Sequence, residues 1–344
     1  EQARARAAGR HLGIGIAAFV EQNSPGPAFY GAADVKISAQ DGCTLRLEPS
    51  GTITCITSNA DQGQGVDTAL AQLVADAFGL PVGAVRVVGG DTLMTAVGGG
   101  TFASRGLTLS GEAALGAAAA LRDRLVGAVA AMWSIERAAV DVVAGEFAER
   151  GGESRRMTVA ELAHVLNYRQ HLLPPGLDAG SMVSVQYVSS RPFLLANGVQ
   201  ASLVEVDPET GFVRLLKHWC VEDCGRVINP LLADEQLRGG IVQGIGPALF
   251  EECRYDAEGQ MLTGSMADYL VPMFGEMPDI VIDHVETPVA GTLLGAKGIG
   301  EAGTIGAGAA VGNAINDALA PFGAVVTEQP YTPERILRAL GKVP

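Results

Sequence analysis

The stretch Gly295-Ala296-Lys297-Gly298-Ile299-Gly300-Glu301-Ala302-Gly303-Thr304-Ile305-Gly306 holds one carboxylate, Glu301, in a run with too little side-chain bulk to bury it. Glycine lets a backbone approach a ligand closely. The small residues that begin at Thr304 and continue through Ala307-Gly308-Ala309-Ala310-Val311 read as a helix. Glu301 then stands just before a helix N-terminus, where backbone N–H groups and the helix dipole favour an anion. The segment by itself allows two readings. Glu301 faces a bound group as a general base, or it only compensates the dipole.

The same glycine richness runs through the chain, with 45 glycines in 344 residues, nearly twice the usual proportion of about 7%. They lie in discrete motifs and not in a low-complexity repeat. A net charge of −14 excludes nucleic acid as a partner. No run reaches the roughly 18 apolar residues of a membrane span. Arg4, Arg6 and Arg10 precede a short apolar run at 12–20, but Glu21-Gln22-Asn23 follows where a secretion signal would carry its small-residue cleavage site. The run is read as an amphipathic lead-in to the first strand of a processed, split or truncated chain. Cys43, Cys55, Cys220, Cys224 and Cys253 form no CxxC pair, and the five histidines are scattered. No zinc or iron–sulfur ligand set results. Reduced, buried thiols in a cytoplasmic protein are expected.

Strands are expected at 35–47 and 52–58 around the turn Glu48-Pro49-Ser50-Gly51. A helix over 67–79 closes on Gly79, a short strand covers 85–88, and 109–142 reads as mostly helical with Trp133 on its apolar side. Segment 147–195 is irregular, with a helix near 159–166 and a Pro/Gly loop at 174–176. A hairpin pairs 201–206 with 213–219 around Asp207-Pro208-Glu209-Thr210-Gly211. Helices follow at 233–251 and 304–319, a strand at 279–285, and a terminal helix at 333–340 begun by Thr332 and Pro333. Without a βαβ cadence the fold class is α+β (mixed α/β), not a Rossmann sheet. The expected division is a first subdomain at 1–150, an irregular connection at 151–195 and a second subdomain at 196–344.

Two glutamines share one design. Gln64 lies between Gly63 and Gly65 at the start of a helix, and Gln243 precedes Gly244 inside the helical run Gly239-Gly240-Ile241-Val242-Gln243-Gly244. A glutamine beside glycine can offer its donor and acceptor to a rigid polar ligand such as a pterin. Equally, it can cap a turn while the glycines ease helix packing. The loop Gly98-Gly99-Gly100-Thr101-Phe102-Ala103-Ser104-Arg105-Gly106 could cradle phosphate through its amides, Ser104 and Arg105, or simply connect two elements. It is neither a Walker A loop nor a GxGxxG turn.

In this order, the motifs GQGVDT, GDT at 90–92, GTFASRG, VEVDPETG, DCGRVINP, GGIVQGIG, GAKGIGEAGTIG and YTPERIL carry a specific likeness across almost the whole chain. The chain resembles the C-terminal half of the molybdopterin-binding (large) subunit of the xanthine dehydrogenase/aldehyde oxidase/aerobic carbon monoxide dehydrogenase family. The resemblance implies the molybdenum-binding second domain of that family, in two subdomains. It implies that Glu301 is the catalytic glutamate and that Gln243 binds the pterin near the metal. It assigns Gly63, Gln64 and Gly65 to a second pterin-side segment, and Ala103 and Ser104 to a cofactor loop. At Gly106 some members carry serine, so a side-chain contact is absent there. Lys297, Gly298 and Gly300 are expected on the cofactor side of the Glu301 segment. No protein side chain is expected to ligate the metal, since the pterin dithiolene holds molybdenum with Glu301 nearby.

The implied cofactor is molybdenum-molybdopterin cytosine dinucleotide, with [2Fe–2S] and FAD on partner subunits. The implied reaction inserts water-derived oxygen at an electron-poor carbon of an N-heteroaromatic or aldehyde substrate, with Glu301 as base. The alternatives are an aerobic carbon monoxide dehydrogenase-like subunit and a noncatalytic structural or assembly subunit of the same fold. Glu301, Gln64 and Gln243 together argue against the last, because a scaffold needs none of them. The expected partners are the N-terminal half of the molybdenum subunit, an iron–sulfur subunit, an FAD subunit and a small-molecule substrate. The family's preceding half, with its GGFG-like segment and substrate contacts, does not appear in this sequence, so substrate identity is not legible here.

Overall fold

A computed structural model describes residues 2–32, 37–95, 98–151, 155–180, 184–190 and 193–344. In chain order the first half carries α1 (Gln2–Ala7), β1 (His11–Asn23), α2 (Pro27–Ala32), β2 (Gln40–Leu47), β3 (Ile53–Thr57), α3 (Val66–Phe78), β4 (Val85–Gly89) and α4 (Gly106–Trp133). Then come β5 (Val140–Val143), β6 (Glu146–Glu149), β7 (Arg156–Thr158), α5 (Val159–Tyr168) and β8 (Ser184–Ser190). The last part holds β9 (Leu194–Val206), β10 (Val213–Asp223), α6 (Pro230–Leu249), β11 (Ile280–His284), α7 (Ala302–Leu319) and α8 (Pro333–Ala339). The mixed α/β class holds. Among the described residues no helix is long and apolar enough to cross a membrane.

The chain forms two compact units that do not follow chain order. One gathers 1–22, 195–288 and 297–344; the other gathers 23–194 and 289–296. The second unit has a sheet ordered β4-β3-β2-β8 and a small sheet ordered β5-β6-β7. β2 runs antiparallel to β3 and β8, while β4 joins β3 in parallel. Helices α3 and α4 bury Leu70, Val74, Phe78, Leu121 and Leu125 in its core with Leu45, Ile53 and Phe147. Gly79 takes φ 65 and closes α3 as its sequence position suggests.

The first unit has one sheet, ordered β1-β9-β10-β11, whose inner face packs on α7 and α6. The hairpin β9–β10 forms around residues 207–211 and is longer than expected, with a register shift between Leu215 and Lys217. Four local expectations change. The apolar run at 12–20 is itself the strand β1 and not a lead-in. The long helix stops at Trp133, because Ser134 turns left-handed (φ 54) and the valines of 140–143 form β5 instead. The segment expected as irregular also supplies the strands β7 and β8, while its expected helix forms as α5, started by a capping box of Thr158 and Glu161. The first expected strand begins at Gln40; its start at Val35 lies outside the described residues.

Glycine in the first unit chiefly serves packing. A Cβ on Gly303 would lie 2.5 Å from the Leu237 carbonyl and 2.8 Å from the Ile241 nitrogen, and one on Gly244 would lie 2.7 Å from the Thr304 carbonyl. Gly13 and Gly15 of β1 sit equally close against the backbone of α7 at Ala314 and Ala310. Backbone cannot rotate away as a side chain can. Gly303→Ala is therefore expected to destabilise the protein by about 1–3 kcal/mol despite alanine's better helix propensity. A thermal melt of this variant that matches the wild type would remove the close-packing account.

Candidate functional site

In the second unit the loop carrying Gln64 is organised by one carboxylate. Asp61 Oδ1 accepts from the amides of Gly63 (2.8 Å) and Gly65 (3.3 Å), and Oδ2 accepts from Asp67 N (3.2 Å). Partial burial opposes the charge on Asp61, yet these amides hold its carboxyl below the usual range. Gly65 is the N-cap of α3 with φ 80, and Gly63 takes φ 102, so both need glycine. Gln64 Oε1 accepts from Gln62 N at 2.6 Å.

The loop at 101–106 lies beside it. The one hydroxyl hydrogen of Thr101 lies between two acceptors, Asn59 Oδ1 (3.0 Å) and Ala60 O (2.8 Å), and Asn59 Nδ2 donates to Asp41 Oδ2 (2.7 Å) and Gly106 O (3.3 Å). Asn59 thus joins the two loops, a role the sequence reading missed. Ala103 (φ 47) and Ser104 (φ 52) are consecutive left-handed residues that are not glycine. Such backbone costs on the order of 1 kcal/mol per residue and persists only where its surroundings enforce it. Here the carbonyls of Ala103 and Ser104 are held by Ser24. The N-cap Arg105 makes no side-chain capping bond and no acid stands in the first turn of α4, an arrangement compatible with an anion at the helix end.

Arg105 does not cradle phosphate. It is fully buried, and its guanidinium donates to the carbonyls of Ser38 (2.7 Å) and Gln40 (2.9 Å) while lying 3.6 Å from Asp41. Its two terminal nitrogens are taken up by interior carbonyls while Nε has no hydrogen-bond partner among the described residues, and the side chain ties the loop to 38–41.

In the first unit α6 and α7 cross at Gly240, Gly244 and Gly303. Gln243 is exposed beside that crossing, and Glu301 is exposed two residues before Gly303. Glu301 occupies the N-cap of α7 (φ −113, ψ −8) but makes no capping hydrogen bond to the turn that follows. A carboxylate can compensate the helix dipole without a capping bond, so this position is compatible with both a helix-end acid and a base facing a bound group. The Gly300 carbonyl accepts from Gln236 Nε2 (2.7 Å), and Gly298 is buried. Lys297 is turned inward, with its ammonium 3.0 Å from Asp223 and both side chains largely buried. Its charge therefore serves an internal ion pair. Gln200 on β9, which the sequence reading passed over, donates to the carbonyls of Ala302 (3.2 Å) and Gly303 (3.0 Å).

Of the cysteines, Cys43, Cys55, Cys220 and Cys224 are buried and Cys253 is exposed. Burial pushes the thiols of Cys220 and Cys224 up to about 12, with the nearby Glu222 adding to it. In these surroundings both thiols hold their protons near neutral pH. Among the described residues no group of His, Cys, Asp and Glu could hold a metal ion.

Residues 1–278 match the molybdopterin cofactor-binding domain family. The chain is 40% identical over 343 residues to the nicotine 6-hydroxylase large subunit of Paenarthrobacter nicotinovorans, covering 98% of this chain and 41% of that one. It is 30% identical to the carbon monoxide dehydrogenase large chain of Hydrogenophaga pseudoflava, covering 96% of this chain and 40% of that one. The structure resembles quinoline 2-oxidoreductase from Pseudomonas putida 86 with a TM-score of 0.91 and 37% identity, over 100% of this chain and 43% of that one. The chain thus spans about two-fifths of the length of these relatives. Glu301 lies beyond the 278 residues that match the family.

Proposed function

The chain belongs to the molybdopterin cofactor-binding domain family, and on that premise we propose that it forms part of the large subunit of a molybdenum hydroxylase acting on a ring carbon of an N-heteroaromatic substrate. The observation that carries the proposal is Glu301, an exposed carboxylate at the start of α7 within the run GAKGIGEAGTIG. The substrate class follows the two relatives at 40% and 37% identity, whose names refer to nicotine and quinoline. A carbon monoxide dehydrogenase-like activity is the second reading, supported by a relative at 30%.

The residues present suit a large polar cofactor. A Cβ at Gly63 or Gly100 would meet nothing within 4 Å, so the outer sides of both loops in the second unit are open. The uncapped start of α4, with Ala103, Ser104 and Gly106, suits a pyrophosphate through its amides. In the first unit Gln243 offers an amide donor and acceptor, and of the three residues before Glu301 only Ile299 carries a side chain, which packs against the core. Cytosine dinucleotide is the form of the pterin we assign. When bound, the cofactor supplies the oxygen that reaches the substrate and takes up the two electrons that leave it.

The chain's own part is proton handling and placement. Glu301 as carboxylate accepts a proton as the new C–O bond forms. Overall a ring C–H becomes C–OH, water supplies the oxygen, and two protons and two electrons depart. The electrons leave through [2Fe–2S] and FAD groups on partner subunits, in a cytoplasmic complex.

The remainder of the large subunit is the first partner. The outer face of the sheet in the first unit exposes Ile14, Ile16 and Val20 of β1, Val199 of β9 and Val221 of β10. An aliphatic strip of this kind marks an interaction surface, and relatives more than twice as long supply the chain to cover it. The 344-residue chain purified alone is expected to lack molybdenum and pterin, whereas the complex with the rest of the subunit contains both. That complex should place oxygen from labelled water on a ring carbon of quinoline or a related heterocycle. Stoichiometric molybdenum in the lone chain would refute the divided site. A loaded complex inert toward every N-heterocycle but active on carbon monoxide would establish the second reading.

A further inference from the structure

Under the sheet of the first unit lies a string of polar side chains that no part of the chemistry above employs. Gln200 and Ser202 of β9 face the same way as His218 of β10, which pairs with Ser202 in the strand register. All three are 0% exposed. Polar groups buried this deeply are retained only when hydrogen-bonded, and each of these is.

The direction of every bond follows from one end. Gln200 Nε2 lies within reach of two backbone carbonyls, Ala302 O and Gly303 O, and a carbonyl can only accept. The amide nitrogen must therefore face α7, which turns Gln200 Oε1 toward His218. His218 Nε2, 3.1 Å from that oxygen, carries the hydrogen and donates. His218 Nδ1 is then an acceptor and takes the hydroxyl hydrogen of Ser202 at 2.9 Å. The imidazole is neutral in this arrangement, and burial alone pulls its pKa down to about 4.

The string ends on the turn that needs support. The first five residues of α7 are Ala302-Gly303-Thr304-Ile305-Gly306, and each glycine weakens helix by about 1 kcal/mol relative to alanine. Glu301 contributes no cap. Gly306 provides the slot for the string, since a Cβ there would lie 3.1 Å from Gln200 Cδ. The two carbonyls held by Gln200 belong to the two residues directly after Glu301.

We propose that Ser202, His218 and Gln200 are positioning residues that lock the first turn of α7 and thereby set the direction of the Glu301 carboxylate. The proposal rests on Glu301 being the base of the reaction above. The string adds directional hydrogen bonds from β9 to a turn that also meets α6, through the close contact at Gly303 and the bond from Thr304 Oγ1 to Gly240 O. A displacement of about 1 Å at a reacting group lowers rate by up to about 10²-fold.

The test uses two pairs of measurements. In the loaded complex, Gln200→Met and His218→Leu, which keep apolar bulk but remove the bonds, should lower kcat by about 10–100-fold, with KM within about threefold and molybdenum content unchanged. His218→Gln, whose amide can still donate to Gln200, should restore kcat to within about threefold of wild type. In the 344-residue chain without cofactor, hydrogen exchange at Gly306 and Ala307, the amides that close onto the same two carbonyls, should quicken in Gln200→Met and His218→Leu but not in His218→Gln. Unchanged exchange in Gln200→Met and His218→Leu would overturn the proposal, as would full kcat in Gln200→Met at full molybdenum content. Quickened exchange together with an active Glu301→Gln enzyme would keep the string as a lock on α7 and reject the reading of Glu301.

Discussion

Glu301→Gln is expected to lower turnover by about 10²–10⁴-fold, the usual consequence of losing a general base, with molybdenum and pterin content nearly unchanged. The amide preserves shape and exposure at the N-cap of α7, where the carboxylate makes no capping bond whose loss would unfold the turn. Loss of the charge at the helix start should lower stability by no more than about 1 kcal/mol. The measurement is kcat of the assembled complex, normalised to molybdenum, beside a thermal melt. A variant that keeps more than about a tenth of wild-type turnover cannot have lost its base. The same result would leave Glu301 as a helix-end acid.

Glu222→Gln is expected to have the largest effect on stability, and its sign depends on pH. Glu222 is 0% exposed on β10, and neither carboxylate oxygen has a hydrogen-bond partner among the described residues. Burial first, then the neighbouring carboxylates of Glu21 and Asp223, push its pKa up to about 8 against the pull of Lys297. Unfolded, the same carboxyl titrates near ~4.3. Between those values the folded chain holds a proton that the unfolded chain has released. Wild-type stability therefore falls as pH rises through this window, by up to about 1.4 kcal/mol per pH unit, and the loss is complete above about 8. The glutamine variant has no such titration. It should match or trail the wild type near pH 5 and exceed it by pH 8. His218, with its pKa near 4, acts in the opposite sense: its contribution is full above the unfolded value of ~6.5 and is lost as pH falls toward 4. It is common to both proteins and cancels in their difference. Urea midpoints for the two proteins that run parallel from pH 5 to 9 would show that Glu222 is ionised in the fold.

The local signals that proved readable were those in which a few adjacent residues decide the backbone. Gly79 closes α3, Thr332 and Pro333 start α8, and the Pro/Gly turn at 207–211 joins β9 to β10. Glu301 could be placed at a helix start for the same reason. What failed locally was the extent of elements. β1 was missed because its ladder partner β9 lies far along the chain, so nothing near residues 12–20 announces a strand. The helix ending at Trp133 was overextended because alanine and leucine propensity carries no mark of the left-handed turn at Ser134.

The sequence by itself determined the class of the fold, the family, and which residues are chemically able to act: a carboxylate, two glutamines and amide-rich loops set among glycines. Residue type and short-range backbone preference suffice for that. Only the tertiary structure decided where each lies and what it touches, because burial and partners come from distant segments. Arg105 and Lys297 look like free cations until the fold pairs Arg105 with the carbonyls of Ser38 and Gln40 and Lys297 with Asp223. Gly240, Gly244 and Gly303 look like room for a ligand until α6 and α7 meet there backbone to backbone. Gln200, Ser202 and His218 look like unrelated polar residues until strand pairing lines them up beneath the helix that carries Glu301.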